Sequence, residues 1–262
     1  MTFDPRLVWL IQENQEDRLT VRGIKDVLDD LNVRWIGIEI DFRALTLPPI
    51  QGLQDGDRVL CFGPSFISRI DHGDPAWRIG SIFDPVTFRW SQFQANWPGK
   101  MLSQDGRVSS VRTLGANPPG RPVFVRPDAD SKTFDGGLRS RAELDVLLNR
   151  LDADLQIVTA SPIAIEAEYR IFMVASEVVA ASEYRRNGQT SLQGFVPNEA
   201  VDLAIEADRT WRPAQAYAID VARSGERLGI VEANCITAAR HYAANGRAIV
   251  AALCRLYGAT GP

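Results

Sequence analysis

Five strand-like runs crowd the C-terminal half of the chain: LQIVTA (155–160), AIEAEYRIFMVA (164–175), EVVAASEYR (177–185), QAYAIDVAR (215–223) and LGIVEAN (228–234). Two of the gaps between them leave room only for tight turns, at Ala175–Ser176 and at Ser224-Gly225-Glu226. Each of these gaps marks a hairpin, so a layer of antiparallel strands is imposed on this half.

The remaining segments are read around that layer. VFVRP (123–127) predicts a short strand. SRAELDVLLNRL (140–151) predicts an amphipathic helix opened by a capping box, Ser140 with Glu143 three residues on. Further helices are expected over 198–210 and over 237–257, the latter with Tyr242, Ile249, Leu253 and Leu256 inward. In the N-terminal part, LVWLIQ (7–12), VRWIGIEI (33–40) and DRVLCF (57–62) read as strands. Between the first two, TVRGIKDVLDDL (20–31) places Val21, Ile24, Val27, Leu28 and Leu31 on one helical face, with Thr20 as the expected N-cap. A strand–helix–strand order predicts a crossover onto a parallel sheet. The aromatics Trp77, Phe83, Phe88, Trp90, Phe93 and Trp97 predict a packed but irregular region over 74–115. GANPPGRP (115–122) disfavours helix and regular strand, which sets the expected domains at 1–116 and 117–262. The fold class expected is α/β (α+β). Residues 186–197 carry no readable pattern; substrate contacts are expected from them and from the N-terminal block.

Composition excludes more than it selects. A chain of 262 residues with 45% apolar and 24% charged residues can bury a real core. A net charge of −4 gives no electrostatic reason to bind nucleic acid or an acidic membrane. No run approaches the roughly 18 apolar residues of a membrane span. The opening MTFDPRLVWLIQEN has no positive region followed by an apolar one, and Cys61, Cys235 and Cys254 suggest no disulfide framework. A cytoplasmic protein is expected. With His72 and His241 the only histidines and no HExxH, a zinc site is disfavoured. Lys25, Lys100 and Lys132 are the only lysines, which singles out Lys132 in the C-terminal half.

The strongest chemical signal is Asp220, Glu232 and Asn234. Glu232 and Asn234 lie two apart on one strand and so share a face. Pairing about the 224–226 turn brings them to Asp220. Two carboxylates and an amide suit magnesium, a hard cation that takes oxygen ligands and leaves places for phosphate. The alternative is a pair of surface acids bound to Arg223 or Arg227. Arg126 and Lys132, in VRPDADSKTFDGG, form a cationic strand end and loop suited to phosphate; a solvated loop lysine is the alternative. Glu168 and Arg170 are two apart on one strand. Arg170 suits a phosphate and Glu168 ribose hydroxyls, unless the two pair with each other. Ser161-Pro162-Ile163 offers backbone to an adenine edge, or is only a bend.

In order, the cationic strand and loop, helix, strand, hinge, E-x-R strand and D…E-x-N resemble the ATP-grasp superfamily over roughly 117–245. The likeness is to the clade in which arginine replaces the first phosphate-binding lysine. It implies ATP held between two α+β subdomains, preceded by a small parallel-sheet domain. Arg126 and Lys132 would contact phosphates, and Ile157–Ile163 would line the adenine slot. Glu168 would bind ribose, and Arg170 would reach the terminal phosphate or an acyl-phosphate. Lys132 and Arg170 would thus be the catalytic residues, with Asp220, Glu232 and Asn234 carrying Mg2+. The implied activity is ATP- and Mg2+-dependent joining of a small-molecule or peptide carboxylate to an amine. Where the family has a glycine-rich lid, this chain has only Asp135-Gly136-Gly137.

The alternatives are a non-catalytic ATP-binding scaffold of the same fold, and a hydrolase built on Ser65. GPSFI follows a strand as a nucleophile elbow does, but lacks the second glycine of G-x-S-x-G. A Cys235–His241 pair is a further option, without supporting spacing. No GxxxxGK[ST] or G-x-G-x-x-G is present.

Overall fold

The computed structural model of the chain describes residues 3–41, 47, 49–71, 75–130 and 133–258. Its first layer is a parallel sheet of β1 (Leu7–Gln12), β2 (Arg34–Ile38) and β3 (Arg58–Phe62), ordered β2-β1-β3. Helix α1 (Arg18–Asp30) links the first two strands. Its N-cap is Asp17 rather than Thr20: the Asp17 carboxylate accepts the Thr20 backbone N–H at 3.1 Å, where a negative charge also suits the helix dipole.

After α2 (Pro64–Asp71) the chain runs through an aromatic-rich stretch that includes α3 (Trp90–Asn96). Its six expected aromatics are all buried. The indole N–H of Trp97 is shared by the Ala207 and Trp211 carbonyls at 3.0 Å, which ties this stretch to the C-terminal half.

The second layer is antiparallel: β4 (Arg107–Ser110), β7 (Gln156–Ala160), β5 (Val123–Pro127) and β6 (Gly137–Arg139), in the order β4-β7-β5-β6. Helices α4 (Val111–Ala116) and α5 (Arg141–Leu148) cover one face, over a core of Val111, Leu114, Val123, Val125, Leu144, Leu148 and Ile157. The capping box at Ser140 and Glu143 is formed. Because β4 pairs with β7, this layer starts ahead of the expected break at 116/117. Proline and glycine between α4 and β5 mark a bend inside the layer rather than its edge.

The third layer has five strands, ordered β10-β9-β8-β11-β12: β8 (Ala167–Val174), β9 (Glu177–Arg186), β10 (Gln189–Gln193), β11 (Ala216–Ser224) and β12 (Arg227–Cys235). The hairpin turns fall where expected, with left-handed backbone at Ala175, Ser176 and Gly225. Strand β10 lies within the segment that carried no pattern. On one face, Tyr169, Ile171, Met173, Tyr217, Ile219 and Val221 pack with Ala200, Ala204 and Ala207 of α6 (Asn198–Thr210). A Cβ at Gly229 would sit 2.6 Å from the Leu102 backbone, so only glycine lets residues 100–102 hydrogen-bond along β12.

The alternate residues face the other way and divide into two zones. Phe172, Val174, Ala216 and Ala218 join the β1–β3 sheet and α7 (Gly246–Gly258) in an apolar core. Helix α7 starts at Gly246, not at 237; Asn245 caps it, and a left-handed backbone at Tyr242 breaks any longer helix. Among the described residues no helix is long and apolar enough to cross a membrane.

Candidate active site

Beyond that apolar zone the same face turns polar. Glu168, Arg170 and Asp220 are 6%, 8% and 1% exposed, and all line a cleft of about 900 Å³. The cleft is bounded by the second layer (Phe124, Arg126, Pro127), the third layer, and the carboxyl-end loops of the parallel sheet (Gln15, Phe62, Pro64). Its size is that of a small-molecule site. Alternation along β5 explains one wall: Val123 and Val125 enter the helix-covered core, and Phe124 and Arg126 face the cleft.

The register across β11 and β12 sets Asp220 opposite Glu232 and Ala218 opposite Asn234. A bulge follows, since Val221 pairs with Ile230 and leaves Val231 as the extra residue. Bulges re-aim side chains. The result is convergence: the Asn234 side-chain amide donates to Asp220 Oδ2 at 3.1 Å and to Glu232 Oε1 at 3.3 Å. Three oxygen-bearing heads therefore meet at hydrogen-bond range, close enough for one small cation to reach all three. Two carboxylates and an amide fit Mg2+ as a donor set.

Both acids hold arginines, but not the expected ones. Asp220 receives Arg170 Nε at 2.8 Å and Nη2 at 2.7 Å, and Glu232 receives Arg126 Nη2 at 2.5 Å. Arg223 and Arg227 take no part in these pairs. Nor does Glu168 pair with Arg170. It accepts the Tyr184 hydroxyl at 2.7 Å and Arg185 Nη1 at 3.0 Å. Neighbours two apart on a strand share a face, but pairing runs across strands, and the register sets Arg170 opposite Asp220.

Burial pushes the Asp220 carboxyl above its ordinary value; Arg170 offsets part of this, while Glu232 and Glu168 add to it. At Glu232 burial works in the same direction, but Arg126 and Arg170, with the Asn234 hydrogen bond, outweigh it and hold the group low. Burial also disfavours the Arg170 charge, and Asp220 overcomes that penalty and raises it. The Tyr184 hydroxyl is pushed well up by burial and by the Asp220 and Glu168 charges, so it stays a donor.

Ile157 is fully buried in the second-layer core and does not line the cleft. Ser161 binds Asp105 through its N–H at 3.1 Å and Arg121 through its hydroxyl at 3.2 Å. Ser161 and Ile163 lie off the cleft lining, which runs instead through Phe124, Phe134 and Ile165. The adenine-slot expectation is corrected accordingly: β7 turns its Ile157 side chain toward α5, and the strand end at Ser161 is tied to the surface. Lys132 lies outside the described residues. Three residues that the sequence reading did not place in the cleft lining are Phe124, Tyr184 and Tyr242. The alternation VFV-R on β5 was the one available signal for Phe124.

The other candidates are inert. Burial drives the Cys235 thiol to about 12 and His241 down to about 4. Cys235 Sγ contacts Thr237 Oγ1, and His241 sits among the rings of Phe62 and Phe172. The Ser65 hydroxyl is buried with no hydrogen-bond partner among the described residues, so no base activates it. Among those residues no group of three His, Cys, Asp or Glu gathers into a metal cluster; the set described above depends on Asn234.

The sequence model of the ATP-grasp domain, family 2 of the arginine-for-lysine clade, matches residues 102–252. This chain belongs to that family. The matched span opens ahead of β4, in keeping with the sheet pairing. Solved structures of similar fold include the L-amino acid ligase from Bacillus licheniformis, at 11% identity and a TM-score of 0.62, over 98% of this chain and 75% of that one. The D-alanine–D-alanine ligase from Bacillus anthracis aligns at 12% identity and a TM-score of 0.61, over 96% and 93% of the two chains. The ATP-grasp ligase PsnB, complexed with minimal precursor, Mg and ADP, aligns at 12% and 0.56, over 98% and 97%. At these identities the likeness is one of fold. Comparison with curated proteins gives no significant sequence match. As an ATP-grasp protein, the chain has the fold expected of its strand order: two α+β layers about a cleft, behind a small parallel sheet.

Proposed function

We propose that this ATP-grasp protein is an ATP- and Mg2+-dependent ligase that joins a carboxylate to an amine through an acyl-phosphate. The observation that carries the proposal is the meeting of Asp220, Glu232 and Asn234 beside Arg126 and Arg170 in one cleft. The similar folds of an L-amino acid ligase and a D-alanine–D-alanine ligase support the reaction class, and the PsnB complex supports the nucleotide and the metal.

In this reading Asp220, Glu232 and Asn234 hold Mg2+, which when bound neutralises phosphate charge. Arg126 and Arg170 donate to phosphate oxygens, with Lys132 as a further phosphate contact. Glu168, fixed by Tyr184 and Arg185, accepts from ribose hydroxyls. A substrate carboxylate oxygen attacks the terminal phosphorus, the bond to the bridging oxygen breaks, and ADP leaves. The amine nitrogen then attacks the acyl carbon and expels phosphate, giving up a proton to solvent. The protein's work in both steps is alignment and charge stabilisation, so no Ser, Cys or His nucleophile is required. The burial of Arg170 and Asp220 matters because a water-poor cleft strengthens each electrostatic contact.

The test is a product screen by mass spectrometry with ATP, Mg2+ and a mixture of amino acids and short peptides. An amide product with matching ADP and phosphate is the expected result. ATP binding without any product across a broad panel would instead favour a scaffold role.

A further inference from the structure

Two irregularities of the backbone converge on Arg170. The first is in β9. Glu168 pairs with Arg185 and Tyr169 with Glu183, so Tyr184 is the extra residue of a bulge and its ring turns into the cleft. The second is at Tyr242, whose φ of +51° lies in the left-handed region. Asn32, Ala175, Ser176 and Asn187 also have positive φ, but they are small or amide residues at a helix end or hairpin turns, where that conformation is common. Tyr242 is a bulky ring in a turn closed by the Ala244 N–H on the His241 carbonyl at 2.9 Å. Strained backbone of this kind persists only where the surroundings enforce it, and it gathers at functional sites. Here the surroundings are visible. His241 is wedged among Phe62 and Phe172 on one side, and Asn245 caps α7 on the other.

The Tyr184 and Tyr242 rings stack at 5.1 Å and 20°. The Arg170 guanidinium lies 5.1 Å from the first ring and 5.5 Å from the second. The three groups thus form a nearly equilateral triangle. Asp220 takes two N–H groups of Arg170, and a guanidinium carries about five, so donors remain for a bound oxygen. Asp220 fixes the in-plane direction of the group, and the rings fix its tilt.

We propose that Tyr242, seated on Tyr184, is a positioning residue that aims Arg170 at the terminal phosphate of ATP. The inference rests on the ligase reading of this cleft. It assigns the left-handed turn before α7 a purpose that neither packing nor helix capping requires.

The test titrates ATP and AMP, each with Mg2+, into the wild type, Tyr242→Asn and Tyr242→Phe. Asparagine tolerates the left-handed backbone and removes the ring; phenylalanine keeps the ring. Tyr242→Asn is expected to lose about tenfold in ATP affinity, with AMP, which lacks the terminal phosphates, within about twofold. Tyr242→Phe should recover most of that loss. A general collapse of the cleft would weaken both nucleotides alike and would overturn the assignment, as would unchanged ATP affinity in Tyr242→Asn or an equal loss in Tyr242→Phe. If the asparagine variant does not fold, Tyr242→Gly gives the same readout. A wild-type protein that binds neither nucleotide sinks the ligase reading first, and the inference with it.

Discussion

One face of the five-stranded sheet carries two zones built on the same strands. Phe172 and Ala218 lie in the apolar zone under α7; Arg170 and Asp220, two residues away on each strand, lie in the charged zone. Both sets of side chains are buried. The first gains stability from burial, roughly 25 cal/mol per Å² of apolar surface. The second bears a desolvation cost that its ion pairs offset only in part. A shift of one pair of positions along a strand thus separates the part that holds the fold from the part that holds the site.

The comparison breaks most visibly at Asp220. Asp220→Ala leaves Arg170 buried without a partner, so it should cost about 3–5 kcal/mol in urea unfolding and abolish ATP turnover. In the apolar zone, Phe172→Ala should cost a similar amount through the cavity it leaves, about 3–5 kcal/mol, while the folded protein keeps its ATP affinity. If both variants lose affinity equally, the two zones are not separate. Glu232→Gln should lower turnover about a hundredfold with a much smaller stability change, because its partner Arg126 is less deeply buried.

A pH titration sharpens the charged zone itself. Glu232 is held low, so its stabilising contribution is present above its unfolded-state value and lost only as pH falls through the lower folded value. Asp220 is raised, so its ionised form costs stability at neutral pH, and that cost is relieved as pH falls through the raised value. ATP binding should therefore weaken on acidification before Glu232 titrates, with a midpoint above that of an ordinary aspartate. Calorimetric titration across pH 7 to 4 checks this. Ser140→Ala, distant from both zones, should cost about 1 kcal/mol for its lost cap and leave turnover intact.

The parts legible in the sequence were those governed by neighbours along the chain. Hairpins declare themselves by gap length, the Ser140 cap by its spacing to Glu143, and the Asp220–Glu232–Asn234 set by symmetry about the Gly225 turn. What stayed hidden depends on contacts made across the fold. The Arg170–Asp220 pair spans fifty positions. The membership of β4 in the second layer, and the two bulges that re-aim Tyr184 and shift the β12 register, follow from pairing that one strand alone does not announce. Tyr242 was read as a helical core residue, because a left-handed turn leaves no mark on hydrophobic periodicity.

Helix α7 has a consequence for how the molecule is made. It packs against α1, β1 and β3, and its Arg247 reaches Asp30 across 217 positions. The earliest-synthesised sheet therefore leaves the ribosome with one flank bare, and waits for nearly all of the remaining chain before that flank is covered. Assembly of the first layer should be late, slow and exposed to misassociation, the cost of long-range closure.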